Sequence, residues 1–66
     1  MKLTINGETR EFEGGLTISG LVGVLGLHPK KVAVEHNLEV VPKSLHSEIR
    51  LAEGDRIEIV QFVGGG

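Results

Sequence analysis

Five residues into the chain, Asn6-Gly7 commits it to a tight β-hairpin, because both residue types tolerate the positive φ that the two central positions of such a turn require. On one side Lys2-Leu3-Thr4-Ile5 alternates polar and apolar residues, and on the other residues 8–13 return. A two-residue loop then sets the register: Leu3 opposite Arg10, Met1 opposite Phe12 and Lys2 opposite Glu11. The return strand has little apolar content beyond Phe12, so a sheet edge is expected for it. At 66 residues the chain has room for one small domain, near the lower size at which a domain folds without disulfides or a metal. It contains no cysteine.

The remaining periodicity supplies one helix and three more strands. Gly14-Gly15 breaks the hairpin, and Thr17 is placed to cap a helix whose Ile18, Leu21, Val22 and Leu25 fall at i, i+3, i+4 and i+7. Gly20 and Gly23 inside it cost about 1 kcal/mol each relative to alanine. Burying each apolar side chain contributes about 1.5–3 kcal/mol, so packing outweighs that cost. Gly26 suits the C-terminal cap, and Pro29 resists continuation. Residues 31–36 read as a strand with Val32 and Val34 on one face, turned by Asn37-Leu38 into a short strand at 39–41 that Pro42 ends. Residues 42–49 are irregular or a single helical turn capped by Ser44 or Ser47, with Leu45, Ile49 and Leu51 expected in the core. Glu53-Gly54-Asp55 is a turn. The last strand spans 56–62, with Ile57 and Ile59 pointing one way and Glu58, Val60 and Phe62 the other. An α+β fold is expected: a mixed sheet of four to five strands on one main helix, with the last and most apolar strand in the sheet interior.

That strand runs through Val63 into Gly64-Gly65-Gly66. Three residues without side chains span about 10 Å when extended, enough to carry a carboxylate through a channel too narrow for any other residue. The chain is therefore divided into a domain at 1–63 and a flexible glycine tail at 64–66. The α-carboxylate of Gly66 is the expected reactive group, and Gly64, Gly65 and Gly66 are the residues a partner would recognise. Val60, Phe62 and Val63 would form a docking patch beside the tail, unless residues 42–49 cover the first two.

Other chemistries find little support. Seven basic and nine acidic residues, well interspersed, give a net charge of −2, and two phenylalanines are the only aromatics. Neither a phosphate-binding stripe nor a base-stacking platform results, so nucleic acid is not an expected partner. Without cysteine there is no nucleophilic thiol or thiolate metal site. His28, His36 and His46 lack ligand spacing and read as surface residues. Ser19, Ser44 and Ser47 sit in no nucleophile elbow. Glu53 and Asp55 flank a turn glycine, where acids are usually solvated, and Gly14-Gly15 is followed by no Gly-Lys-Ser/Thr. No catalytic residue, metal site or bound cofactor is expected. No signal segment or membrane-spanning run is seen, so a cytoplasmic protein without a membrane partner is expected.

Two stretches carry a family resemblance. Residues 32–42, Val-Ala-Val-Glu-His-Asn-Leu-Glu-Val-Val-Pro, and residues 51–60, Leu-Ala-Glu-Gly-Asp-Arg-Ile-Glu-Ile-Val, followed by the glycines, resemble the ThiS sulfur carriers of thiamin biosynthesis. The Asn6-Gly7 hairpin and the Thr17 helix start are placed as in that family, so the resemblance covers the whole chain. It departs at Leu38, where an Asn-Gly turn is common, and at the glycines within the helix. The resemblance implies a β-grasp, ubiquitin-like fold. It implies that an E1-like, ThiF-type enzyme uses ATP to adenylate Gly66, and that sulfur from a donor such as a cysteine desulfurase converts the adenylate to a thiocarboxylate. A ThiG-type thiazole synthase would accept that sulfur, making the chain a protein co-substrate rather than an enzyme. Related alternatives are a MoaD-like small subunit of molybdopterin synthase and a carrier for tRNA thiolation. A non-catalytic ubiquitin-like interaction module is the alternative of another class.

Overall fold

The computed structural model describes residues 1–62; Val63, Gly64, Gly65 and Gly66, and with them the expected tail and the 63/64 boundary, lie outside the described residues. The chain forms strands β1 (Lys2–Ile5) and β2 (Glu8–Glu11), helix α1 (Ile18–Val24), strands β3 (Val32–His36) and β4 (Glu39–Val41), and strand β5 (Arg56–Gln61). Single 3-10 turns at Pro29–Lys31 and Lys43–Leu45 precede β3 and follow β4. The five strands make one mixed sheet in the order β2-β1-β5-β3-β4. β5 runs parallel to β1 and antiparallel to β3, at the centre of the sheet as its apolar content leads one to expect.

The hairpin register is the one the turn dictates, with Lys2 opposite Glu11 and Leu3 opposite Arg10, and β2 is an edge strand. Both two-residue turns have the positive φ pair of a type I′ turn: 50° and 82° at Asn6-Gly7, 49° and 74° at Asn37-Leu38.

Thr17 caps α1 by accepting a hydrogen bond from the Gly20 N–H at 3.1 Å. The first two helical amides, which have no intrahelical acceptor, donate elsewhere: Ile18 N–H to the Ile49 carbonyl at 3.1 Å and Ser19 N–H to the His46 carbonyl at 2.8 Å. At the other end Gly26, at φ 73°, lets its own N–H reach the Gly23 carbonyl and the Leu27 N–H reach the Val22 carbonyl, closing a Schellman motif. A Cβ at Gly20 would come within 3.2 Å of Leu16 Cδ2, so glycine there permits a close approach. Nothing in the structure explains glycine at 23.

The core is wholly aliphatic. Leu3, Ile5, Ile18, Leu21, Val22, Val32, Val34, Val41, Leu51, Ile57 and Ile59 are buried between the sheet and α1. Residues 42–49 depart from expectation in three ways. Leu45 is exposed rather than in the core. The 3-10 turn starts at Pro42 with no side-chain cap, so neither Ser44 nor Ser47 caps it. His46, expected on the surface, is 5% exposed. Its Nε2–H donates to the Val41 carbonyl at 3.1 Å while its own carbonyl takes the Ser19 amide, so the residue ties β4 to the start of α1.

Candidate functional site: the trailing end of the central strand

β5 alternates inward Ile57 and Ile59 with outward Glu58 and Val60, and exposed Phe62 follows directly after the strand, which ends at Gln61 rather than at 62. Val60 is 60% exposed and Phe62 52%, so residues 42–49 leave Val60 open and cover Phe62 only in part. That segment is drawn instead to the helix start by the bonds just described. It sends Lys43 toward Phe62, with Nζ 5.6 Å from the ring centroid and bonded to the Lys30 carbonyl.

Cross-strand register defines the rest of this open face. Val60 lies opposite Ala33, and Val40 lies opposite Glu35 with 74% exposure. These residues border a shallow depression of about 80 Å³ lined by Ala33, Val34, Glu35, Val40, Glu58 and Val60. Glu35 stands directly opposite Glu58. Like charges in direct cross-strand register are destabilising, so the face carries an unfavourable acidic pair beside an apolar patch. The period-two pattern of residues 39–41 would have put Val40 on this face; the pairing of the two glutamates required knowing which strands adjoin. Around the β4 edge a second groove of about 390 Å³ runs between the strand and residues 42–49, lined in part by His36, Val41, Pro42, Leu45 and Ile49.

The leading end of β5 is anchored by a polar cluster that sequence reasoning missed. Asp55, expected to be solvated, has a side chain only 14% exposed, and His36 Nε2–H donates to its Oδ2 at 2.7 Å. The Ala52 N–H donates to the same oxygen at 2.9 Å, and Asn37 Nδ2 donates to Oδ1 at 3.2 Å. Partial burial pushes the Asp55 pKa up, but the hydrogen bonds from His36, the Ala52 amide and the Asn37 side chain outweigh it and hold the pKa below its ordinary 3.8. Asn37 also accepts the Arg56 N–H at 2.8 Å. At the trailing end, Ile59 N–H donates to Asn6 Oδ1 at 2.7 Å and Asn6 Nδ2 donates to the Ile59 carbonyl at 3.2 Å. Among the described residues no three His, Asp or Glu side chains are grouped to hold a metal ion. Among the same residues no helix is long and apolar enough to cross a membrane.

The sequence matches the ThiS family over residues 3–66. It is 53% identical over all 66 residues to a thiazole synthase from Paramagnetospirillum magneticum, of which it spans 20%. It is 46% identical over 50 residues to the sulfur carrier protein ThiS of Bacillus subtilis, covering 76% of each chain. The structure superposes on a thiamine biosynthesis protein (ThiS) from Geobacter metallireducens with a TM-score of 0.84 at 32% identity, covering both chains fully. The strand order, the single helix and these matches agree: the chain belongs to the ThiS family and has its β-grasp fold.

Proposed function

We propose that this chain is a sulfur carrier whose reactive group is the carboxylate of Gly66. The observation that carries the reading is the place of β5: a central strand, paired on both sides, ends beside an exposed apolar patch, and the sequence continues from it into Gly64-Gly65-Gly66. A carboxylate resists attack because it has no usable leaving group. Attack of the Gly66 carboxylate on the α-phosphorus of ATP, in an E1-like enzyme, releases pyrophosphate and gives an acyl-adenylate with AMP as leaving group. A sulfide equivalent then displaces AMP. If the donor is a persulfide, the acyl disulfide first formed is cleaved by a thiol, leaving the thiocarboxylate.

Val60, Phe62 and Val40 would dock the activating enzyme through an apolar contact, with basic residues of the enzyme relieving the Glu35–Glu58 pair. Val63 would extend that contact, and Gly64 and Gly65 would thread the channel. Thiazole synthase is the acceptor supported best. In the relative of that name a domain like this one is part of a chain about five times longer, by the 20% it spans, and domains sharing a chain meet at high effective concentration. A molybdopterin or tRNA acceptor has no comparable support.

The test is an intact mass after incubation with the ThiF-type enzyme, ATP and sulfide. A gain equal to one oxygen-to-sulfur exchange, mapped to Gly66 and absent when Gly65 and Gly66 are deleted, is expected. An unchanged mass, with the enzyme active on a control carrier, would leave an interaction module as the better description.

A further inference from the structure

The two sides of β5 are held very differently. Toward β3 the pairing is continuous, from His36 opposite Ile57 to Val32 opposite Gln61, and the Phe62 N–H still donates to the Lys31 carbonyl at 2.8 Å. Toward β1 it covers only Thr4 opposite Arg56 and Ile5 opposite Ile57, because the chain turns away at Asn6-Gly7. The Asn6 N–H makes the last backbone bond on that side, to the Ile57 carbonyl at 2.9 Å. The next amide and carbonyl facing that side belong to Ile59, a buried residue with no strand beside it.

Asn6 fills the gap with its side chain. Its primary amide accepts from the Ile59 N–H and donates to the Ile59 carbonyl, the two bonds that a continued β1 would have made. The turn does not demand this. At φ 50°, glycine or aspartate would serve the backbone equally well, but neither side chain can both donate and accept.

We propose that Asn6 is a positioning residue for the carrier terminus: its amide clamps the trailing end of β5, and so sets the direction in which the chain leaves Phe62 toward Gly66. This rests on the carrier reading above. Without the amide, Ile59 to Phe62 hang from β3 alone, and the arrangement that presents Gly66 to the activating enzyme becomes one of several. The apparent affinity for the enzyme then falls in proportion to the competent fraction, while the chemical step is unchanged.

The experiment compares wild type with Asn6→Gly, which keeps the turn and removes the amide, and Asn6→Asp, which keeps the turn and only the acceptor. Pyrophosphate release by the ThiF-type enzyme, supplied with ATP and with sulfide to displace AMP, gives KM and kcat for each carrier, and amide hydrogen exchange reports on the free protein. For Asn6→Gly the KM should rise roughly three- to tenfold at constant kcat, the range expected when one or two hydrogen bonds hold the competent arrangement. Exchange should quicken at Ile59 and at Phe62, whose N–H is the last one bonded to β3, while Val34 keeps its wild-type rate, and Asn6→Asp should fall between the two. An unchanged KM, or exchange quickened uniformly along β3 and β5, would overturn the proposal and leave Asn6 a purely structural residue. If the wild-type chain is not adenylated at all, it is the carrier reading that fails; the exchange pattern alone then decides whether Asn6 clamps the strand.

Discussion

The turns at Asn6-Gly7 and Asn37-Leu38 are alike in backbone and unlike in surroundings. Each is a two-residue turn with positive φ at both positions, and each aims an asparagine side chain at the central strand. Asn37 meets β5 at its leading end, where Asp55, His36 and the Ala52 amide form a shared network. Asn6 meets β5 at its trailing end, where its amide bonds to Ile59 alone. The leading end is thus fastened by a side-chain network, whereas the trailing end, paired with β3 on one side, is held on its β1 side by a single side chain. On the carrier reading proposed above, that asymmetry separates a firmly held fold from a more lightly held strand end.

The largest expected effect comes from breaking the leading end. Asp55→Ala removes an ionised acceptor from three donors, and a loss of about 2–3 kcal/mol is expected in urea unfolding at neutral pH. The folded-state pKa of Asp55 is depressed, so its stabilisation is complete above the ordinary value of 3.8 and is lost as the pH falls through the lower folded-state value. The gap between wild type and Asp55→Ala should therefore close on acidification below that point. A gap that stays constant with pH would show that the carboxylate charge contributes nothing.

Exchanging the asparagines for glycine sharpens the comparison, since glycine keeps both turns. Asn37→Gly leaves the Arg56 amide without its acceptor and Asp55 with one donor fewer, and should cost about 1–2 kcal/mol in thermal or urea unfolding. Asn6→Gly, at the isolated end, should cost less, about 1 kcal/mol. The reverse order would mean that the network at the leading end compensates for the loss of one member.

The smallest effect concerns the second residue of each turn. Gly7 adopts φ 82° without penalty, whereas Leu38 adopts φ 74° at 75% exposure, a left-handed conformation with no burial to offset it. Leu38→Gly relieves that strain but adds freedom to the unfolded chain, so a net gain of at most about 0.5 kcal/mol is expected. A clear loss would show that the Leu38 side chain makes a stabilising contact after all.

Much of this molecule follows from local rules. The first hairpin's register follows from the φ preference of Asn6-Gly7. The faces of α1 and β5 follow from the spacing of Ile18, Leu21 and Val22 and the alternation of Ile57 and Ile59. So does the outward direction of Val60 and Phe62, though not their exposure, which depends on where residues 42–49 pass. These features depend on neighbours within a few residues, which a sequence displays directly. The burial of His46, the Asp55–His36 contact, the exposure of Leu45 and the facing pair Glu35 and Glu58 do not. Each depends on which distant strand or loop arrives alongside, and residue type alone predicts the wrong environment for a histidine bonded to a carbonyl or an aspartate with three donors. Asn6 spans both kinds of knowledge. Its place in a turn is visible from residue 7, but its bond to Ile59 exists only because the parallel pairing of β1 with β5 brings residues 53 positions apart into register.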